Sequence, residues 1–168
     1  LDLSMMLEQL ADESYAVLAE KSLTCSIHTD DNLLVDADPD KLARVFDNLL
    51  RNAIAYSYPG TNIDIRAFGE QKDIIITFSN QGDQIPPQKL NFIFEKFYRV
   101  DNARQSRTGG AGLGLSIAKE IVELHGGAIA ASSSPVCTRF TVKLPRHEEE
   151  QPAAAKKWGR IAKNGGKE

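Results

Sequence analysis

The sequence predicts an α/β (α+β) fold, a two-layer sandwich in which a mixed β-sheet carries helices on one face. Three observations predict it. Strand-like segments come as neighbouring pairs joined by short turns, helical segments alternate with those pairs, and 168 residues with 42% apolar content supply a single core.

In chain order, a helix is read from Ser4 to Glu20, then strands near Leu23 to Thr29 and Leu33 to Asp36. A long helix runs from Asp38 to about Tyr58. Asp38 suits an N-cap and Pro39 the first helical position, while Leu42, Val45, Phe46, Leu49, Ala53 and Ile54 recur as a buried stripe. Strands follow at Ile63 to Phe68 and Asp73 to Ser79, with a short helix near Gln88 to Phe94. A polar stretch from Tyr98 to Gly110 is read as a lid. The pattern closes with a helix from Gly114 to His125 and strands at Gly127 to Ser132 and Thr138 to Leu144.

Three segments carry candidate chemistry. Thr108 to Ile117 holds four glycines (Gly109, Gly110, Gly112, Gly114) and runs directly into a helix. Flexible backbone meeting the positive end of a helix dipole favours phosphate, so Gly110, Gly112, Leu113, Gly114 and Leu115 are candidate nucleotide contacts. Two familiar phosphate motifs fail on spacing. A P-loop needs Gly-Lys-Ser/Thr, and a dinucleotide fingerprint needs glycine where Leu115 stands.

On the long helix, Asn48 and Asn52 share one face, with Tyr56 one turn on. Asparagine costs up to about 0.7 kcal/mol against alanine in mid-helix. Its neutral carbonyl oxygen suits a magnesium ion whose other positions are filled by phosphates and water. After the strand ending at Ser79, Asn80-Gln81-Gly82-Asp83-Gln84-Ile85 places a side-chain acceptor two residues before a glycine, an arrangement that fits adenine. Taken singly, each segment also has an ordinary reading: a mobile glycine loop, a surface helix with incidental asparagines, and a plain turn.

The order of these segments, with Ile93-Phe94-Glu95-Lys96-Phe97-Tyr98-Arg99 between the Asn80 turn and the glycine loop, resembles the ATP-binding domain of bacterial sensor histidine kinases, one branch of a superfamily shared with gyrase, Hsp90 and MutL. Within that branch the chain resembles the vancomycin-resistance sensor kinases. The resemblance spans Leu1 to Pro145 and implies a Bergerat-type ATP-binding fold, with residues 1–145 as the catalytic domain and 146–168 as a polar tail. It implies ATP and Mg²⁺ as cofactors, Asn52 as the metal ligand with Asn48 as its partner, and Tyr56 near the phosphates. Arg99 becomes the candidate cation at the γ-phosphate, since Ala55 stands where a lysine is frequent.

Asn80 stands where an aspartate is usual and Gln84 where a second glycine is common. ATP binding is therefore expected to persist but to weaken, with Gln84 narrowing the pocket floor. Where the hydrolysing cousins keep a glutamate base this chain has Asn48, which favours transfer to a histidine over a self-sufficient ATPase. A degenerate, non-catalytic binding module is the other alternative, and Asn80 and Gln84 are its warning signs.

The family's acceptor histidine has no counterpart in His28, His125 or His147, so the dimerising phosphoacceptor domain is expected on a separate segment, with a response regulator as the downstream partner. Membrane attachment would come through a sensor half elsewhere, leaving this domain on the cytoplasmic side. The surface around Phe94 and Phe97 is the expected docking face for the acceptor.

Charge and cysteines set further bounds. The stretch from Arg146 carries six Lys/Arg against four Glu, and the rest fourteen against nineteen, so the body is acidic and nucleic acid is not an expected partner. The run beginning Glu148-Glu149-Glu150 reads as disordered. Cys25 and Cys137 have no metal-ligand spacing and read as reduced strand residues.

Overall fold

The computed structural model describes residues 1–99 and 113–148. The elements are α1 (Leu3–Glu13), α2 (Tyr15–Glu20), β1 (Thr24–Thr29), α3 (Pro39–Tyr56), β2 (Asn62–Glu70), β3 (Asp73–Asn80), α4 (Pro87–Leu90), α5 (Gly114–Leu124), β4 (Ala128–Ser133) and β5 (Thr138–Pro145). Five strands lie in the order β1-β2-β3-β5-β4. The β1–β2 pair is parallel and the other three are antiparallel, as a mixed sheet requires.

Strand alternation decides which face is covered. Ile63, Ile65 and Ala67 of β2, Ile74, Ile76 and Phe78 of β3, and Phe140, Val142 and Leu144 of β5 are buried beneath the helices. Their neighbours Asp64, Arg66, Arg139 and Lys143 belong to the opposite face, which the helices leave open. Phe46 of α3 stacks on Phe78 with ring centroids 6.0 Å apart, joining the two layers.

The sequence reading departs from the structure in three places. The first helix is two, broken at Ser14. Leu3 and Leu7 of the first half and Leu18 of the second are buried; α1 packs on both α3 and β1, and α2 packs on β1. Leu33 to Asp36 is not a strand: Leu34 makes one bridge to Asp2, and Leu3 and Val35 exchange backbone bonds with Leu33 and Leu1. That pairing cannot extend because α1 begins at Leu3. The helix expected over Gln88 to Phe94 is the single turn α4, followed by irregular turns.

The C-terminal edge is also informative. Arg146 and His147, read as the start of the tail, bond to Lys72 and Asn32, and to Leu34 and Asp36. The tail from residue 149 lies outside the described residues.

Candidate functional site

Asp38 starts α3 by accepting from the backbone N–H groups of Asp40 and Lys41, at 3.0 and 3.3 Å, with Pro39 in the first turn. The buried stripe Leu42, Val45, Phe46, Leu49, Leu50, Ala53 and Ile54 then fixes the rotation of the helix on the sheet. That rotation leaves Asn48, Asn52 and Tyr56 half-buried along one edge.

The edge meets α5 at its first turn. Asn48 Nδ2 donates to the Gly114 carbonyl at 3.1 Å. The N-terminus of α5 has no side-chain cap and no acidic residue in its first turn, although Ser116 Oγ turns back to the Leu113 carbonyl at 2.9 Å. Among the described residues, Leu113, Gly114 and Leu115 therefore form an uncapped, partly exposed helix start beside the two asparagines. Gly110 and Gly112 lie outside the described residues, as does the lid from residue 100 onward; Arg99, half-buried, is the last described residue before it.

At its other end α3 meets the turn after β3. Ser57 pairs with Gly82 in an antiparallel bridge, and the Tyr58 N–H donates to the Gln81 carbonyl at 2.8 Å. The Tyr58 hydroxyl donates to Asp83 at 2.5 Å, and this bond raises the phenol's pKa. A Cβ on Gly82 would stand 2.0 Å from the Tyr56 carbonyl oxygen. The chain itself thus demands this glycine, to let the turn close on α3.

Asn80, at the end of β3, is 3% exposed. The Gln84 amide, expected at the site floor, donates to the Ser133 carbonyl at 3.4 Å, and Ile85 N–H donates to Ser133 Oγ at 2.9 Å. From Asn48 to Tyr56 is eight residues, about 12 Å along the helix axis. That span suits a nucleotide with its phosphates at α5 and its base at Asn80.

The donor set bears on the metal. Among the described residues no three His, Cys, Asp or Glu side chains cluster to hold an ion. The Asn52 amide makes no hydrogen bond among those residues, which leaves its oxygen available. A single neutral oxygen fits a magnesium ion that arrives with phosphate oxygens and water.

The histidines lie elsewhere. His28 is exposed on β1 beside Asp64, and His147 pairs with Asp36 at 2.7 Å. His125 ends α5 and is followed by Gly126, whose φ of +75° is that of a C′ glycine. Its Nε2 accepts from the Asp38 N–H at 3.2 Å while Nδ1 lies 2.8 Å from the Ile121 carbonyl, a neutral tautomer tying the end of α5 to the start of α3. Sequence reasoning missed this clamp because its halves are 87 residues apart.

The expected aromatic docking face needs correction. Phe94 is partly buried, edge-on to Phe140 at 6.1 Å, whereas Phe92 and Phe97 are the exposed rings. A separate groove of about 450 Å³ between the outer sides of α3 and α5, lined by Lys41, Arg44 and Glu120, contains none of the predicted site residues.

The family model for histidine kinase-, DNA gyrase B- and HSP90-like ATPases matches residues 37–148. The chain is 54% identical over 146 residues to the sensor protein VanS of Enterococcus faecium, which covers 86% of this chain but 38% of that one. It therefore spans well under half of that relative's length. Among solved structures, the mycobacterial sensor histidine kinase MprB superposes with a TM-score of 0.79 at 26% identity, over 89% of this chain and 99% of that one. The histidine kinase ThkA, solved in complex with the response regulator TrrA, gives a TM-score of 0.74 at 24% identity over 90% and 42%, a likeness of fold alone. On the family match and the VanS identity, the chain belongs to the histidine kinase-, DNA gyrase B- and HSP90-like ATPase family.

Proposed function

We propose that this chain is the ATP-binding catalytic domain of a sensor histidine kinase, passing the γ-phosphate of ATP to a histidine on a separate phosphoacceptor segment for relay to a response-regulator aspartate. The observation that carries the reading is the Asn48–Gly114 bond, which sets the bare start of α5 against the asparagine edge of α3. Phosphates there meet backbone N–H groups and the positive end of a helix dipole. The bound Mg²⁺ would offset charge on the transferring phosphoryl group, and Asn52 is its protein ligand.

Asn48 cannot take a proton, and its amide is already engaged with Gly114. A neutral imidazole needs no such base, so the residue favours phosphotransfer to histidine over hydrolysis. Asn80 and the turn at Gly82 hold the base, with Tyr56 at that same end of α3, and Arg99 lies toward the phosphates. The tail beyond the domain has no part in this scheme.

The identity to VanS supports a parent protein that responds to glycopeptide antibiotics, dimerises through its phosphoacceptor domain, signals to a response regulator and is anchored in the membrane by another segment. No helix among the described residues is long and apolar enough to cross a membrane.

Titration calorimetry with ATP, with and without Mg²⁺, tests the reading. Magnesium-dependent binding is expected, and a chain that binds no nucleotide overturns it. With radiolabelled ATP, this chain alone should gain no acid-labile label, and an added phosphoacceptor segment should become labelled. Label on the chain itself, lost on replacing His28, His125 or His147, would contradict the separate acceptor.

A further inference from the structure

Asn80 differs from the buried polar residues around it. Ser79 Oγ accepts from Arg139 Nε at 2.9 Å and Thr138 Oγ1 pairs with Ser133 Oγ at 2.7 Å, whereas the Asn80 side chain has no hydrogen bond among the described residues. Every fully occluded side-chain nitrogen or oxygen among those residues has a partner. The 3% of Asn80 that is exposed therefore includes its amide, which is not sealed in the core.

An unpaired amide with so little access to water is costly, so a ligand with complementary groups is favoured there. With no partner to hold it, the amide is also free to turn by half a revolution, exchanging Oδ1 and Nδ2 without changing shape. Gln84 and Ile85 N–H are both tied to Ser133 and do not compete for the ligand.

On the nucleotide-binding reading above, we infer that this pocket takes 6-oxopurine as well as 6-aminopurine nucleoside triphosphates, with Asn80 reading both. A 6-aminopurine presents an amine donor beside a ring-nitrogen acceptor, which Asn80 meets with Oδ1 and Nδ2. A 6-oxopurine presents a carbonyl beside a ring N–H, the same two groups with donor and acceptor exchanged. Turning the amide restores the match. A carboxylate at this position can only accept, and it would face the carbonyl with lone pairs on both sides.

Inosine triphosphate isolates the change, because it differs from ATP only at that edge. Competition against a fluorescent ATP analogue, with Mg²⁺, should give wild-type dissociation constants for ATP and inosine triphosphate within about tenfold of each other. In Asn80→Asp the inosine triphosphate to ATP ratio should rise by about 100-fold. Strong rejection of inosine triphosphate by the wild type, or a ratio unmoved by the substitution, overturns the inference while leaving ATP binding intact. Failure to bind ATP at all would instead remove the nucleotide reading on which it rests.

Discussion

Helices α3 and α5 pack against each other yet begin in opposite ways. The start of α3 is closed by the chain itself: Asp38 caps two N–H groups, Pro39 removes a donor, Asp40 complements the dipole, and the remaining Asp38 N–H goes to His125. Among the described residues the start of α5 has no side-chain cap and no acidic residue in its first turn, and a glycine stands at its first position. A helix start left bare beside the Asn48–Asn52 edge is suited to an anion. The pair divides the labour, with α3 securing the fold through one face and, along its other edge, framing the opening that α5 leaves.

The largest expected effect falls on the structural face. Leu49→Ala should cost about 2 to 5 kcal/mol in denaturant unfolding, because Leu49 is fully buried against the sheet. A loss below about 1 kcal/mol would mean that the core, and with it the rotation of α3, is not as described.

On the opposite edge the consequence should be functional. Asn52→Ala should lower magnesium-dependent transfer to an added phosphoacceptor by about 100-fold, equivalent to about 2.7 kcal/mol, with the unfolding midpoint nearly unchanged. Transfer within twofold of wild type would end the metal role.

Exchanging the two helix starts tests the contrast directly. Asp38→Ala should lose about 1 kcal/mol of stability and leave ATP affinity alone. Leu113→Asp should do the reverse, gaining a few tenths to about 1 kcal/mol as a new cap while weakening ATP by about tenfold through its charge. Equal ATP affinity in wild type and Leu113→Asp would show that the bare start does not serve the phosphates.

The smallest effect concerns the sheet beneath both helices. Burial, with a further push from Asp64, raises the Cys25 thiol from 9.0 to about 11. Between those values the folded state keeps a proton that the unfolded state has released, so stability should fall as pH rises from 9 toward 11 and be flat below 9. Unfolding measured against Cys25→Ala checks it, and identical slopes would show the thiol to be unperturbed.

Local signals carried far along this chain. The cap and stripe of α3, the strand pairs and the glycine-rich approach to α5 were legible because each depends on residues within a few positions of one another: Asp38 with Lys41, Leu42 with Val45 and Phe46, Gly126 directly after His125. The failures mark where a distant partner decides. Ser4 to Glu20 has continuous helical character, but the helix breaks at Ser14, where α1, packed on both α3 and β1, gives way to α2 on β1. Leu33 to Asp36 alternates like a strand, yet its partners at the N-terminus turn at once into α1.

By itself, then, the sequence determined the order of the elements, the inward face of each and the residue types available to a nucleotide site, since periodicity and capping are short-range chemistry. Only the tertiary structure decided the use made of them. Gly82 serves the Tyr56 carbonyl, Gln84 bonds to Ser133, His125 clamps two helix ends, and the Asn80 amide finds no partner among the described residues. Such outcomes depend on which side chain finds a hydrogen-bond partner tens of residues away, and spacing along the chain does not encode that choice.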